Sequence, residues 1–466
     1  MESHCLCRPV YGQTPPPGEE QLWAAAGFSG SPGQTLMTQQ DGSPLMLVGL
    51  GDAAQVNVAS LREAAALAAR MIGNVTEAEW DFDALSVVGI ASNQVAQAVA
   101  EGTVLGSYQP LSSRGRGIRW QAPPESNGAW SLGLAIGGAV TRTRDLVNSP
   151  SNVLTPQALA AHCESVGNEH GLAVRVYSQE DLQSLGFGGI LAIGAGSPEP
   201  SLLVEVIHGS STSKPDLSLV GKGVTFDSGG LSLKGAEDMI GMKHDMSGAA
   251  AVFEAMTLLP LVAPNLHVRG YLPVVENLPG QGATRPGDVV KMRNGRTVEI
   301  LNTDFEGRVI LAEALAYAAE AEPAAIIDVA TLTNAAVRAL GDRTAALLGN
   351  DRWLCEQVRN AAHSSNEPVW ELPMPDYLGE QLKSDVADFK NFPGTANARA
   401  LSAAMFLRAF LPENIPWAHL DIAGPAWAVQ PYGLTVEGGT GFGVRLLADL
   451  FQTIAPREAS NKELRA

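Results

Sequence analysis

The chain has 466 residues, enough for two or three domains of ~150 residues each and a large buried core. Hydrophobic residues make up 45% and charged residues 17%, with a mean hydropathy of +0.04, a balance that excludes a fibrous or disordered chain. A formal net charge of −18 repels phosphate backbones and anionic lipid, so nucleic acid is a poor first partner.

Cys5, Cys7, Cys163 and Cys355 are too few and too unevenly spaced for a disulfide framework, which points to a reduced compartment. Residues 1–13 hold no basic segment followed by an apolar one, and no apolar run approaches ~18 residues. A cytoplasmic protein with no membrane partner is expected. Cys5 and Cys7 beside His4 are expected in a terminal tail rather than a metal site.

In chain order, residues 45–48 suit a strand, 61–71 an Ala-rich helix and 87–90 a second strand, together a small α/β unit. Between 112 and 130 the composition shifts to Ser, Arg, Gly, Pro and Asn, which places a domain edge near 130. Residues 132–147 have helical apolar spacing and end at Asn148-Ser149-Pro150, where the proline discourages further helix. Strands are then expected at 174–177, 189–193, 202–207, 217–226 and 267–275, with helices such as 249–259 between them. Continuous apolar runs such as 325–329 suit strands buried on both faces, with functional loops outside the strand ends. The expected organisation is a smaller N-terminal α/β domain (1–130), a connecting helix (131–149) and a larger α/β domain (150–466) with a mainly parallel, mixed central sheet.

Three segments concentrate charge where burial is expected. Gly221-Lys222-Gly223-Val224-Thr225-Phe226-Asp227-Ser228-Gly229-Gly230 leaves an apolar strand, and a buried ammonium or carboxylate is costly unless paired or bound to metal. A salt bridge at a strand end and a functional site are both open readings there. Lys234 follows, and Asp245 precedes a small-residue helix where N-capping is the default role; His244 has no partner His at metal-ligand spacing. In Asn302-Thr303-Asp304-Phe305-Glu306-Gly307-Arg308, extended backbone would point Asp304 and Glu306 to one side and Phe305 to the other. Arg308 then falls at a helix start, where backbone N–H groups favour an anion. An Asp-x-Glu pair alone is more often a surface turn.

Together these segments resemble the leucyl (cytosol) aminopeptidase family, whose signature reads Asn-Thr-Asp-Ala-Glu-Gly-Arg. The resemblance extends through Asn148-Ser149-Pro150-Ser151-Asn152, 242–251, 327–333 and Pro416-Trp417-Ala418-His419-Leu420-Asp421-Ile422-Ala423-Gly424. It implies a metallo-exopeptidase that removes single N-terminal residues from peptides and aminoacyl amides, preferring leucine or similar apolar residues. Lys222, Asp227, Asp245, Asp304 and Glu306 would hold two divalent cations per subunit, Mn²⁺ or Zn²⁺, with Mg²⁺ as a further alternative. Such a pair activates a water and polarises the scissile carbonyl. Lys234 would be the catalytic lysine and Arg308 would hold a bicarbonate serving as general base, while Met242, Thr331 and Asn334 would meet the first side chain. The resemblance also implies a homohexamer built as two stacked trimers.

Three positions depart from the family pattern: Asn334 for a usual Gly, Phe305 for a typical Ala, and Gly235-Ala236-Glu237 for the commoner Pro-Ala-Ala. Two rivals stand beside this reading. Arg114, Arg116, Arg119, Arg142 and Arg144 form a local basic group that a DNA-binding regulator would use, and metal ligands alone do not exclude a phosphoesterase.

Overall fold

The structure, a computed structural model, describes residues 4–12, 14–15, 18–73, 75–85, 89–110, 118–123 and 127–454. It divides into two compact units, 1–141 with 430–436, and 142–429 with 437–466.

In the first unit β1 (His4–Tyr11), β2 (Thr35–Gln40), β3 (Ser43–Gly51), β4 (Glu77–Trp80) and β5 (Arg119–Trp120) form one sheet in the order β2-β3-β1-β4-β5. Alternation along His4-Cys5-Leu6-Cys7 sends both cysteines to the inner face, where they are fully buried with Met46, Val48 and Ala65. The expected tail is therefore a central strand, because two free thiols act there as small apolar side chains. Helices Val58–Met71 and Ser92–Ser107 cover this face. They pack so closely that a Cβ on Gly102 would lie 2.1 Å from the carbonyl oxygen of Arg62. The expected strand at 87–90 falls largely outside the described residues. The 22-residue helix Asn127–Asn148 leads into the second unit.

The second unit is built on β6 (Ala173–Tyr177), β7 (Leu202–His208), β8 (Leu217–Gly221), β9 (Gly223–Asp227), β10 (Val268–Asn277), β11 (Asp288–Lys291), β12 (Thr297–Ile300), β13 (Ile326–Ala330), β14 (Ala345–Gly349), β15 (Val369–Glu371), β16 (Phe389–Lys390) and β17 (Trp417–Asp421). The main sheet runs β15-β14-β17-β13-β8-β10-β7-β6, with β9 also on β10. The pairs β14–β15, β17–β13, β13–β8, β8–β10 and β9–β10 are parallel, whereas β14–β17, β10–β7 and β7–β6 are antiparallel. Strands β11, β12 and β16 form a separate small sheet. Val220, Tyr271 and Ile326 from the main sheet share one core with Val309, Leu311 and Leu315 of helix Glu306–Glu320.

Residues 189–193 form part of a helix, Gly188–Gly194, rather than the expected strand. A five-residue apolar run has no periodicity that separates the two, and here Glu313 accepts the Ile190 N–H at 2.7 Å and holds the helix in place. The expected strand at 217–226 is interrupted at Lys222, although β8 and β9 pair with β10 in the same register as far as Val224 with Val275, beyond which the register shifts.

That interruption depends on glycine. Helix Ser247–Met256 lies against the β8–β9 junction: Ala249 N–H donates to the Lys222 carbonyl at 2.8 Å, and Lys222 N–H donates to Val329 at 3.1 Å. A Cβ on Gly248 would stand 2.1 Å from the Val329 carbonyl oxygen and 3.0 Å from the Lys222 nitrogen. Both obstacles are backbone and cannot rotate away. Gly248→Ala should destabilise the protein by about 3 kcal/mol through overpacking, read as a lower urea midpoint with an unchanged slope.

Candidate active site

The parallel strands end on one cavity of about 700 Å³, lined by Lys222, Asp227, Lys234, Met242, Asp245, Asp304, Glu306, Arg308, Thr331 and Asn334 among others. Every residue that the sequence singled out for this site lines it. Lys222 follows β8, Asp227 ends β9 and Thr331 follows β13, so neighbouring strands deliver side chains to a single edge.

Lys222 is 2% exposed, and its Nζ lies 2.7 Å from Asp245 and 2.9 Å from Glu306, with a third bond to the Thr331 carbonyl at 2.9 Å. Lys234 pairs with Asp227 at 2.8 Å and also with Asp304. Burial by itself would lower both lysines, but Asp245 and Glu306 around Lys222, and Asp227, Glu306 and Asp304 around Lys234, hold both above the ordinary ammonium value. Burial pushes Asp245 and Asp227 upward, and raises Asp304 to about 6 against the opposing pull of Lys234. Carboxylate oxygens of Asp227, Asp245 and Glu306 approach within 4.8 Å of one another. Hard oxygen donors that converge in this way fit a divalent cation.

Asp245 does not cap a helix. Helix Ser247–Met256 begins after Met246, and Asp245 instead accepts from Thr331 Oγ1 at 2.8 Å. Residues 302–305 form a turn rather than a strand, and Glu306 opens helix Glu306–Glu320. Alternation therefore does not turn Phe305 away: it lines the cavity between its two acidic neighbours. Its ring meets Phe392 edge-on at 5.2 Å and lies 4.3 Å from the Arg308 guanidinium.

Arg308 is 2% exposed, donates to the Asn391 carbonyl at 3.0 Å, and has no partner for Nε. Burial brings it down to about 10. A buried cation with an unpaired donor and no carboxylate partner at salt-bridge distance suits an anionic ligand.

Three further residues position the site, and sequence reasoning passed over them. Asn277 Nδ2 donates to Asp227 at 2.8 Å and to the Thr303 carbonyl at 2.9 Å, tying the two acidic segments together. Asn391 accepts from Leu301 N–H at 2.9 Å and donates to the Asn302 carbonyl at 2.7 Å. Asp421 accepts from Leu332 N–H at 3.1 Å and Thr333 Oγ1 at 2.7 Å, fixing the wall that carries Thr331 and Asn334. None carries a local spacing signal, since each acts through residues distant in the chain.

The described members of the arginine group each have partners of their own. Arg142 pairs with buried Glu254 at 2.7 Å, Arg144 is buried and donates to the Thr440 carbonyl, and Arg119 pairs with Glu77 at 2.6 Å. Arg114 and Arg116 lie outside the described residues. Among the described residues, no helix is long and apolar enough to cross a membrane.

Buried acids converging at the ends of a mixed α/β sheet could hold a metal ion, and known proteins show the class. Residues 141–448 match the catalytic domain of the cytosol aminopeptidase family, and residues 20–114 match its N-terminal domain. A probable cytosol aminopeptidase of Syntrophotalea carbinolica is 41% identical over 451 residues, spanning 91% of this chain and 89% of the relative. A bottromycin maturation enzyme solved in complex with Mn superposes with a TM-score of 0.90 at 40% identity, covering 97% and 99% of the two chains. Cytosol aminopeptidase from Coxiella burnetii gives 0.86 at 30% identity, covering 97% of each. The chain belongs to the cytosol aminopeptidase family, and is a metal-dependent exopeptidase that hydrolyses peptides.

His419, in the matched 416–424 segment, does not line the cavity. Its Nδ1 donates to Asp328 at 2.6 Å, and Trp417 Nε1 donates to the other Asp328 oxygen at 2.7 Å, all fully buried. Burial disfavours the imidazolium, but Asp328 outweighs it and raises His419 above its ordinary 6.5. A raised folded value means that this pair stabilises fully below the unfolded value and loses its contribution as pH rises through the folded one. Asp328→Asn should therefore cost about 3 kcal/mol near pH 6 and progressively less above that, measured by urea unfolding across pH.

Proposed function

We propose that Lys222, Asp227, Asp245, Asp304 and Glu306 hold two divalent cations, Mn²⁺ or Zn²⁺ with Mg²⁺ as the alternative, and that the enzyme releases leucine and similar apolar residues from peptide N-termini. The observation that carries this is the convergence of four carboxylates and two lysines in one cavity beside an unpaired buried guanidinium. Bound there, the cations would supply the Lewis acidity that activates a water and the scissile carbonyl, and Arg308 would hold a bicarbonate as general base.

The chain's own groups do the rest. Lys234 keeps its proton beside Asp227 and Asp304, and donates to the carbonyl oxygen as negative charge develops there. Lys222 is different, because a lysine that ligates a cation must first lose the proton which Asp245 and Glu306 now retain on it. Arg308, stacked under Phe305, holds its anion away from bulk water. Met242, Thr331 and Asn334 line the cavity where the first side chain would lie, and exposed Asn334 makes that wall more polar than the family's usual glycine would. The assembly proposed is a homohexamer of two trimers, in the cytoplasm.

Metal-stripped protein should not hydrolyse leucine amide until Mn²⁺ or Zn²⁺ is restored, and Lys234→Ala and Asp304→Ala should each lower the restored kcat by about 10³-fold. Cation binding should release protons and weaken as pH falls through about 6, where Asp304 becomes protonated, a trend that calorimetry in buffers of different ionisation heat would register. Full activity in the stripped enzyme, or pH-independent affinity, would sink the assignment.

A further inference from the structure

Beside the four carboxylates and two lysines, the cavity is also lined by Arg308, Arg338 and Arg399. Among the described residues none of these three arginines has a carboxylate at salt-bridge distance. Arg399 opens helix Arg399–Arg408 and is half-buried, and its Nε is buried without a partner, as is that of Arg308. The two guanidiniums approach the same Phe305 ring, at 4.3 Å for Arg308 and 5.5 Å for Arg399, and Arg399 also lies 6.0 Å from Phe392. The preceding residue, Ala398, has φ 51°, a left-handed conformation that is unfavourable for an alanine. The helix thus starts from a strained residue and presents a cation to a cavity in which a second, unpaired cation already lies.

Burial lowers Arg308, and the neighbouring Arg399 adds to that against the opposing pull of Glu306 and Asp421. An anion entering the cavity offsets that lowering and gains charge-assisted hydrogen bonds. One anion is accounted for by the base proposed at Arg308. Arg338 is exposed, whereas half-buried Arg399 meets the ring from its own position and is available to a carboxylate carried by the substrate. Asp238, the other carboxylate of the lining, is exposed on the segment after Lys234.

We propose that Arg399 is a specificity-determining residue that binds a carboxylate on the second residue of the substrate, so that the enzyme favours peptides whose leaving residue is anionic. This rests on the aminopeptidase reading of the same cavity. The carboxylate has two sources, the terminal carboxylate of a dipeptide or the side chain of aspartate or glutamate in second position.

The test compares Leu-Gly, Leu-Gly amide and Leu-Asp amide on the Mn²⁺-loaded enzyme and its Arg399→Gln and Arg399→Lys variants. The wild-type kcat/KM for Leu-Gly over Leu-Gly amide should exceed one, and Arg399→Gln should lower that ratio about tenfold, mainly through KM, with partial recovery in Arg399→Lys. A preference for Leu-Asp amide over Leu-Gly amide that Arg399→Gln abolishes would assign the side-chain source instead. Equal loss on all three substrates would overturn the proposal, because the guanidinium would then serve the chemical step; so would a wild type with no preference for either anionic substrate. Hydrolysis of leucine amide by the wild type separates these outcomes from failure of the aminopeptidase reading, and thermal unfolding confirms that both variants are folded.

Discussion

Four carboxylates share one buried cavity with two lysines, and the catalytic domain is arranged around the cost of keeping them there. Four formal negative charges on Asp227, Asp245, Asp304 and Glu306 against two positive ones on Lys222 and Lys234 leave a balance of −2. Isolated, each buried charge would be prohibitively expensive; the carboxylates keep both lysines protonated, while burial still leaves Asp227, Asp245 and Asp304 raised. Two dications would supply more charge than the lysines do, and only if Lys222 gives up its proton does the cluster approach neutrality. The lysine that completes the cluster without metal would then be the one that has to change state when metal enters.

This demand explains the local geometry better than propensity does. The main sheet is parallel at its centre, so the carboxyl ends of β8, β9, β13 and β17 face one side, where Lys222, Asp227, Thr331 and Asp421 fall. Delivering Lys222 from the middle of what would otherwise be one long strand needs helix Ser247–Met256 pressed onto the backbone, which glycine at 221 and 248 permits. Gly229 and Gly230, at φ 84° and 62°, turn the chain back so that Lys234 returns to Asp227. A Cβ on Gly230 would lie 2.8 Å from Asn277 Oδ1, on the side chain that joins Asp227 to the Thr303 carbonyl.

Much of this was legible from spacing. Charged residues set in apolar runs at 221–230 and 302–308 marked the cavity, and the alternation of strands with helices after residue 150 indicated the mixed sheet. What misled was local in origin. The run at 189–193 is too short to carry a period, and the contact that makes it helical comes from Glu313, more than a hundred residues away. Cys5 and Cys7 looked like part of a tail because termini usually fray, yet they sit between β3 and β4 in a sheet whose pairing no window of sequence contains. Phe305 was turned outward by assuming extended backbone; the Asn302 side chain accepts the Asp304 N–H at 2.8 Å, and the resulting turn brings Phe305 inward.

The segment 416–424 shows why matching a motif and assigning chemistry are separate steps. It contains a histidine and an aspartate of the types that catalysis uses, and spacing treats them alike. Hydrogen bonds distinguish them. His419 is spent on Asp328 and stacks near Trp417 inside the sheet, so its protonation bears on the pairing of β13 and β17, and it does not line the cavity. Asp421, two residues on, binds the backbone of Leu332 and the hydroxyl of Thr333, and so holds the loop whose Thr331 donates to Asp245. One acts on the fold and the other on the site, and the difference is that His419 lies in the middle of β17 whereas Asp421 ends it.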